Sequence, residues 1–206
     1  MDRIYKKIGL VGSSQIERFP TELLRRRGIE ADKISYNPKN AKGLAQDHAL
    51  EDLATNIVEN FSHVDSIFLL IGANDVRKNC CPRDIANNIL KICDKIQDLG
   101  LDLIVAPLTN RRRPKGMEEP EYNAIRNSVN RRLRNQFRRR GRKDVVLNLK
   151  NFELEARDGV HLTRDDYRYL SKVIASHMHK RTVQSLHTAG RHRLNSTEYS
   201  VQYFYQ

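Results

Sequence analysis

The chain has 206 residues, 39% of them hydrophobic, and carries 37 Lys and Arg against 25 Asp and Glu, a net charge of +12. That length can bury a sizeable core in one domain without metals or disulfides, and no apolar run approaches the ~20 residues of a membrane span. The opening MDRIYKKIGLV enters a short strand without a cleavable leader, so the expectation is a soluble, intracellular protein, placed in the cytoplasm.

Taken in chain order, KKIGLVGS reads as a strand, ERFPTELLRRRG as a helix stopped by Gly28, and DKISYNP as a second, shorter strand. From Asp47 to Phe61, Leu50, Leu53, Ala54, Ile57, Val58 and Phe61 recur at three- and four-residue spacing, one face of a helix. VDSIFLLIGAND is nearly continuous in apolar residues, as a central strand covered on both faces requires. Pro82 opens a helix with Ile85, Ile89, Ile92, Ile96 and Leu99 on one stripe, and Gly100 ends it.

LDLIVAPLT is a fourth strand. The helix over residues 120–140 lines up Tyr122, Ile125, Val129, Leu133 and Phe137, with arginines around the rest. KDVVLNL supplies a fifth strand, and TRDDYRYLSKVIASHMHK a last helix with Thr163 as N-cap. This alternation predicts an α/β domain over residues 1–181, a parallel five-stranded sheet with helices on both sides. Residues 182–206 are polar and lack periodicity, and are read as a flexible tail.

Three short motifs fall after strands: GSS after the first, GAND after the third and DGVHL after the fifth. In a parallel sheet those positions share one edge. A serine hydroxyl needs a base to take its proton, and a histidine held by a carboxylate is suited to that. Ser14, His161 and Asp158 supply these groups. The oxygen that becomes negative in acyl transfer needs donors, for which Asn74, the Ser14 backbone N–H and a glycine are candidates. Each motif alone also has a structural reading: a Ser-rich turn, a helix cap at Asn74-Asp75, a plain turn at Asp158-Gly159.

The order Gly-x-Ser, Gly-x-Asn-Asp and Asp-x-x-His, spread over about residues 8–179, resembles the SGNH (GDSL-type) hydrolases. The resemblance implies a three-layer α/β/α, flavodoxin-like fold and a serine esterase that hydrolyses a small ester substrate through an acyl-serine, without cofactor or metal. Ser14 would be the nucleophile, Asp158 and His161 its triad partners, and Asn74 an oxyanion donor, with Gly43 of NAKGLAQ as a second donor. Two positions depart from the family pattern: Ser13 stands where Asp is usual before the nucleophile, and Asp166-Tyr167 where a Gly-Tyr pair is common. Ser13 becomes the nucleophile if the turn is offset by one.

Arginine gathers at residues 25–27, at Arg111, Arg112 and Arg113, and from Arg131 to Arg142. With a sequence pI near 9.8, this distribution raises a second reading, an RNA- or nucleic-acid-binding module, with an anionic lipid surface as another partner. Arg111, Arg112, Arg113, Arg132, Arg138 and Arg139 are the candidate anion contacts. Cys80, Cys81 and Cys93 have no metal-ligand spacing and read as reduced, structural thiols. His177 and His179 diverge on a helix and read as solvated rather than as a metal pair.

Overall fold

Alternation within the strands decides the layers. In β1 (Lys6–Gly12), Ile8 and Leu10 face one side of the sheet and Val11 the other, and β3 (Ser66–Leu70) and β4 (Asp102–Val105) divide in the same way. These residues belong to a computed structural model that describes residues 6–35, 47–61, 63–142, 145–149 and 158–180. With β2 (Ile29–Ser35), the strands form a sheet in the order β2-β1-β3-β4, every pair parallel. Val146 adds a parallel bridge to Val105, so the order continues outward beyond β4.

Among the described residues the expected fifth strand is represented by that bridge, held by Val105 N–H to Val145 O and Leu147 N–H to Val105 O, each 2.9 Å. Its apolar run is only Val145-Val146-Leu147, and Asn148 is already exposed. The first expected helix differs too. It is split into α1 (Ser14–Glu17) and α2 (Glu22–Arg25), because Pro20 has no N–H with which to continue a helical ladder.

The remaining helices lie where their apolar periods place them: α3 (Asp47–Phe61), α4 (Pro82–Asp98), α5 (Glu119–Arg139) and α6 over residues 164–180. Leu53, Ile57 and Phe61 of α3, the isoleucines of α4, and Tyr122, Val129, Leu133 and Phe137 of α5 close one core against the sheet. Ile16, Leu24, Leu170 and Ile174 close the other. Leu99, expected at the end of the α4 stripe, is instead 44% exposed, since the helix has ended there and the chain turns away through Gly100.

Thr163 caps α6 reciprocally. Its Oγ1 accepts from Asp166 N–H at 3.1 Å, while an Asp166 carboxylate oxygen accepts from Thr163 N–H at 2.8 Å. The architecture is a three-layer α/β/α sandwich with flavodoxin-like strand order. No helix among the described residues is long and apolar enough to cross a membrane. The proposed tail, 182–206, and Gly43 lie outside the described residues.

Candidate active site

The carboxyl edge of the sheet gathers the three motifs. β1 ends at Gly12, paired in register with Leu70 of β3, so the segments after both strands start side by side. Gly12 is required for this approach: a Cβ there would lie 2.4 Å from Ile16 Cγ1 and 2.6 Å from the Leu70 carbonyl oxygen. Ser14 then begins α1, so its N–H is one of the helix N-terminal donors that no residue within the helix can accept from.

Ser14 Oγ lies 3.0 Å from His161 Nε2, although 147 positions separate the two residues. On the other side of the ring, His161 Nδ1 lies 2.7 Å from Asp158 Oδ2. Asp158 Oδ1 accepts from the backbone N–H of His161 at 2.7 Å and of Val160 at 2.9 Å, so the loop folds around its own carboxylate. The bond from the His161 side chain, then the two backbone donors, hold the Asp158 carboxyl well below the usual carboxylate range. With Nδ1–H donated to that carboxylate, Nε2 is left free to accept the Ser14 proton. It is the hydroxyl of Ser14, rather than that of Ser13, that meets the imidazole.

Asn74 follows β3, and Arg111 Nη2 donates to its Oδ1 at 2.6 Å. A guanidinium has only donors, so the atom facing it must be the carboxamide oxygen, and the NH2 group is turned away from Arg111. The Arg111 guanidinium carbon lies 5.9 Å from the centroid of the Tyr122 ring, whose hydroxyl donates to Thr109 O at 3.2 Å. Arg111 thus orients a carboxamide, a position that its sequence context in a basic run did not suggest. Arg113 is also tied into the edge: its N–H donates to Gly159 O at 3.3 Å. Gly159 has φ +82°, and a Cβ there would lie 2.8 Å from Arg113 Cγ. Arg112 is exposed.

A second group of residues ties the loops together, and only Tyr167 among them stands at a position that the family pattern marks. The buried Gln15 donates through Nε2 to Thr109 Oγ1 at 3.1 Å and Val160 O at 3.2 Å, linking α1 to the loop after β4 and to the histidine loop. Tyr167 donates its hydroxyl to Gln15 O at 2.8 Å and packs edge-on to Phe19 with ring centroids 5.4 Å apart. Burial pushes its pKa up to about 12, so it stays a donor. Arg18 lies 3.9 Å from Asp158 Oδ2, but both side chains are more than half exposed and such a pair contributes little.

No group of His, Cys, Asp and Glu among the described residues is arranged to hold a metal. His179 is exposed as expected, whereas His177 is half-buried, because it adjoins the Ile174 and Met178 side of α6 that faces the core. Cys93 is buried, and that burial pushes its thiol up, away from nucleophilic chemistry. Cys80 is half-buried and Cys81 exposed, both free.

No protein-family model matches the chain, and no curated protein is significantly similar to it in sequence. Solved structures are similar in fold. A GDSL-like lipase from Bacteroides thetaiotaomicron superposes with a TM-score of 0.62 at 16% identity, covering 88% of this chain and 91% of that one. A lipase/acylhydrolase from Enterococcus faecalis gives 0.59 at 15% identity, covering 85% and 96%. An acetyl xylan esterase gives 0.52 at 16%, covering 82% and 98%. The chain has the fold of the GDSL-like lipases and acylhydrolases, as its motif order suggests.

Proposed function

We propose that the protein is a serine ester hydrolase of the SGNH type. The observation that carries the reading is the pair of contacts on either side of one imidazole, 3.0 Å to Ser14 Oγ and 2.7 Å to Asp158 Oδ2. A nucleophile, a base and an orienting carboxylate in that order are what acyl transfer requires. The fold shared with lipases and acylhydrolases supports it.

In this reading Ser14 Oγ attacks the ester carbonyl carbon while its proton passes to His161 Nε2. The carbonyl oxygen becomes an oxyanion, stabilised by the Asn74 NH2 and the Ser14 backbone N–H, with Gly43 as the third donor that the family resemblance suggests. Collapse of the tetrahedral intermediate breaks the bond to the alcohol oxygen, which takes the proton from Nε2 and leaves. Water then attacks the acyl-serine with His161 again as base, releasing the acid and restoring the hydroxyl. Asp158 stays ionised throughout and holds the ring in the reactive tautomer. No cofactor takes part in these steps.

The test is hydrolysis of a short-chain aryl ester by the purified protein beside Ser14→Ala and His161→Ala. The reading expects turnover that both variants lose; equal background rates in all three would overturn it.

A further inference from the structure

The sheet face opposite α1 and α6 carries a groove between α4 and α5, of about 220 Å³, away from the residues of the candidate active site. Its rim is formed by Arg83 and Asn87 from α4 and by Arg132, Asn135, Gln136 and Arg139 from α5. On α5 these residues are spaced by three, four and seven, which puts them in a single stripe, and Asn87 lies one turn after Arg83. The floor is Ala86 and Leu90. No carboxylate lines the groove, so its three guanidinium groups are not neutralised from within. Arg83 lies 3.6 Å from the neighbouring Asp84, an exposed pair that leaves most of its donors open.

We infer that this groove binds the phosphodiester backbone of a single-stranded nucleic acid. Guanidinium groups match phosphate oxygens bidentately, and carboxamides between them can donate to the same strand. A groove between two packed helices, whose axes are typically ~8–10 Å apart, admits one strand rather than a duplex. A lipid surface fits less well. Membrane-surface helices insert apolar side chains, and Leu99 is the single exposed large hydrophobic among the described residues. The aromatic residues of α5, Tyr122 and Phe137, are buried in the core and offer bases nothing to stack on, so binding is backbone-directed and indifferent to sequence. Arg138 is exposed but lies off the groove, which separates it from Arg132 and Arg139.

Fluorescence anisotropy with a labelled oligouridylate tests this across a salt series. The variant combining Arg83→Gln, Arg132→Gln and Arg139→Gln should weaken binding at least ~10-fold at low salt and flatten the log–log salt slope by about 2, given ~0.7 per phosphate contact. Asn135→Met, which fills the groove without changing charge and offers no ring for a base to stack on, should weaken binding as well. A control variant with Arg25→Gln, Arg26→Gln and Arg27→Gln loses the same charge elsewhere and should bind close to wild type, all melts being compared to exclude unfolding. Equal losses in the two triple variants, or unchanged binding by Asn135→Met, would overturn the proposal. So would groove-dependent binding to phosphatidylserine vesicles without groove-dependent binding to the oligonucleotide.

Discussion

Arg111 donates a 2.6 Å hydrogen bond to Asn74 Oδ1, and that bond decides which end of the carboxamide is free to donate. If the NH2 group serves the oxyanion, Asn74→Ala should lower kcat by ~10²-fold or more, the usual effect of losing one such donor. Arg111→Met should lower kcat by a smaller factor, ~10-fold, with KM little changed, since the carboxamide would then rotate between two orientations. The double variant should match Asn74→Ala alone. Steady-state kinetics on the four proteins checks this, and additive losses would give Arg111 a role independent of Asn74.

Asp158 predicts a pH signature. Its folded-state carboxyl lies below the ordinary value, so its contribution to stability is complete above the unfolded pKa of about 4 and declines as pH falls below that. Urea melts of wild type and Asp158→Asn should differ at pH 7, and the difference should narrow as pH falls below about 4, closing only beneath the depressed folded-state value. Because the carboxylate remains ionised at neutral and mildly acidic pH, any acid limb in kcat/KM above pH 5 belongs to another group. Asp158→Asn should lower kcat by ~10³–10⁴-fold through the wrong imidazole tautomer.

The cap at Thr163 is structural and should separate stability from chemistry. Thr163→Ala removes the hydroxyl that accepts from Asp166 N–H, and an N-cap loss costs about 1 kcal/mol. Denaturant midpoints should fall accordingly. Turnover per folded molecule should change by less than ~3-fold, because the Asp158 loop keeps its own backbone bonds.

Gly12→Ala should affect both. Its Cβ would press on Ile16 and on the Leu70 carbonyl, and overpacking of this kind costs ~1–3 kcal/mol. Relief by movement of α1 would displace Ser14 from the imidazole, so activity should fall further than stability, measured by parallel melts and ester turnover.

Much of this was legible in the sequence because it depends on local periodicity. The strands β1, β3 and β4 and the helices α3, α4 and α5 follow from their apolar spacing, and motif order alone brings Ser14, Asn74 and Asp158-His161 to one edge. What escaped depends on three-dimensional neighbours. Pro20 splits the first helix, and the short apolar run at residues 145–147 makes a bridge rather than a strand. Arg111 looks like a surface cation in a basic run until the fold lays it across Tyr122 beside Asn74. Gln15 and Thr109 carry no motif and Tyr167 keeps only the tyrosine of a Gly-Tyr pair, and it is the packing of α1 against the histidine loop that gives the three a common purpose.

The central claim is that Ser14 is a nucleophile activated by His161. Incubation with a fluorophosphonate, followed by intact-mass and peptide mass spectrometry, tests it directly. The expected result is one adduct per chain, on Ser14, formed far more slowly in His161→Ala and absent in Ser14→Ala. Labelling on another residue, or labelling whose rate His161→Ala leaves unchanged, would contradict it.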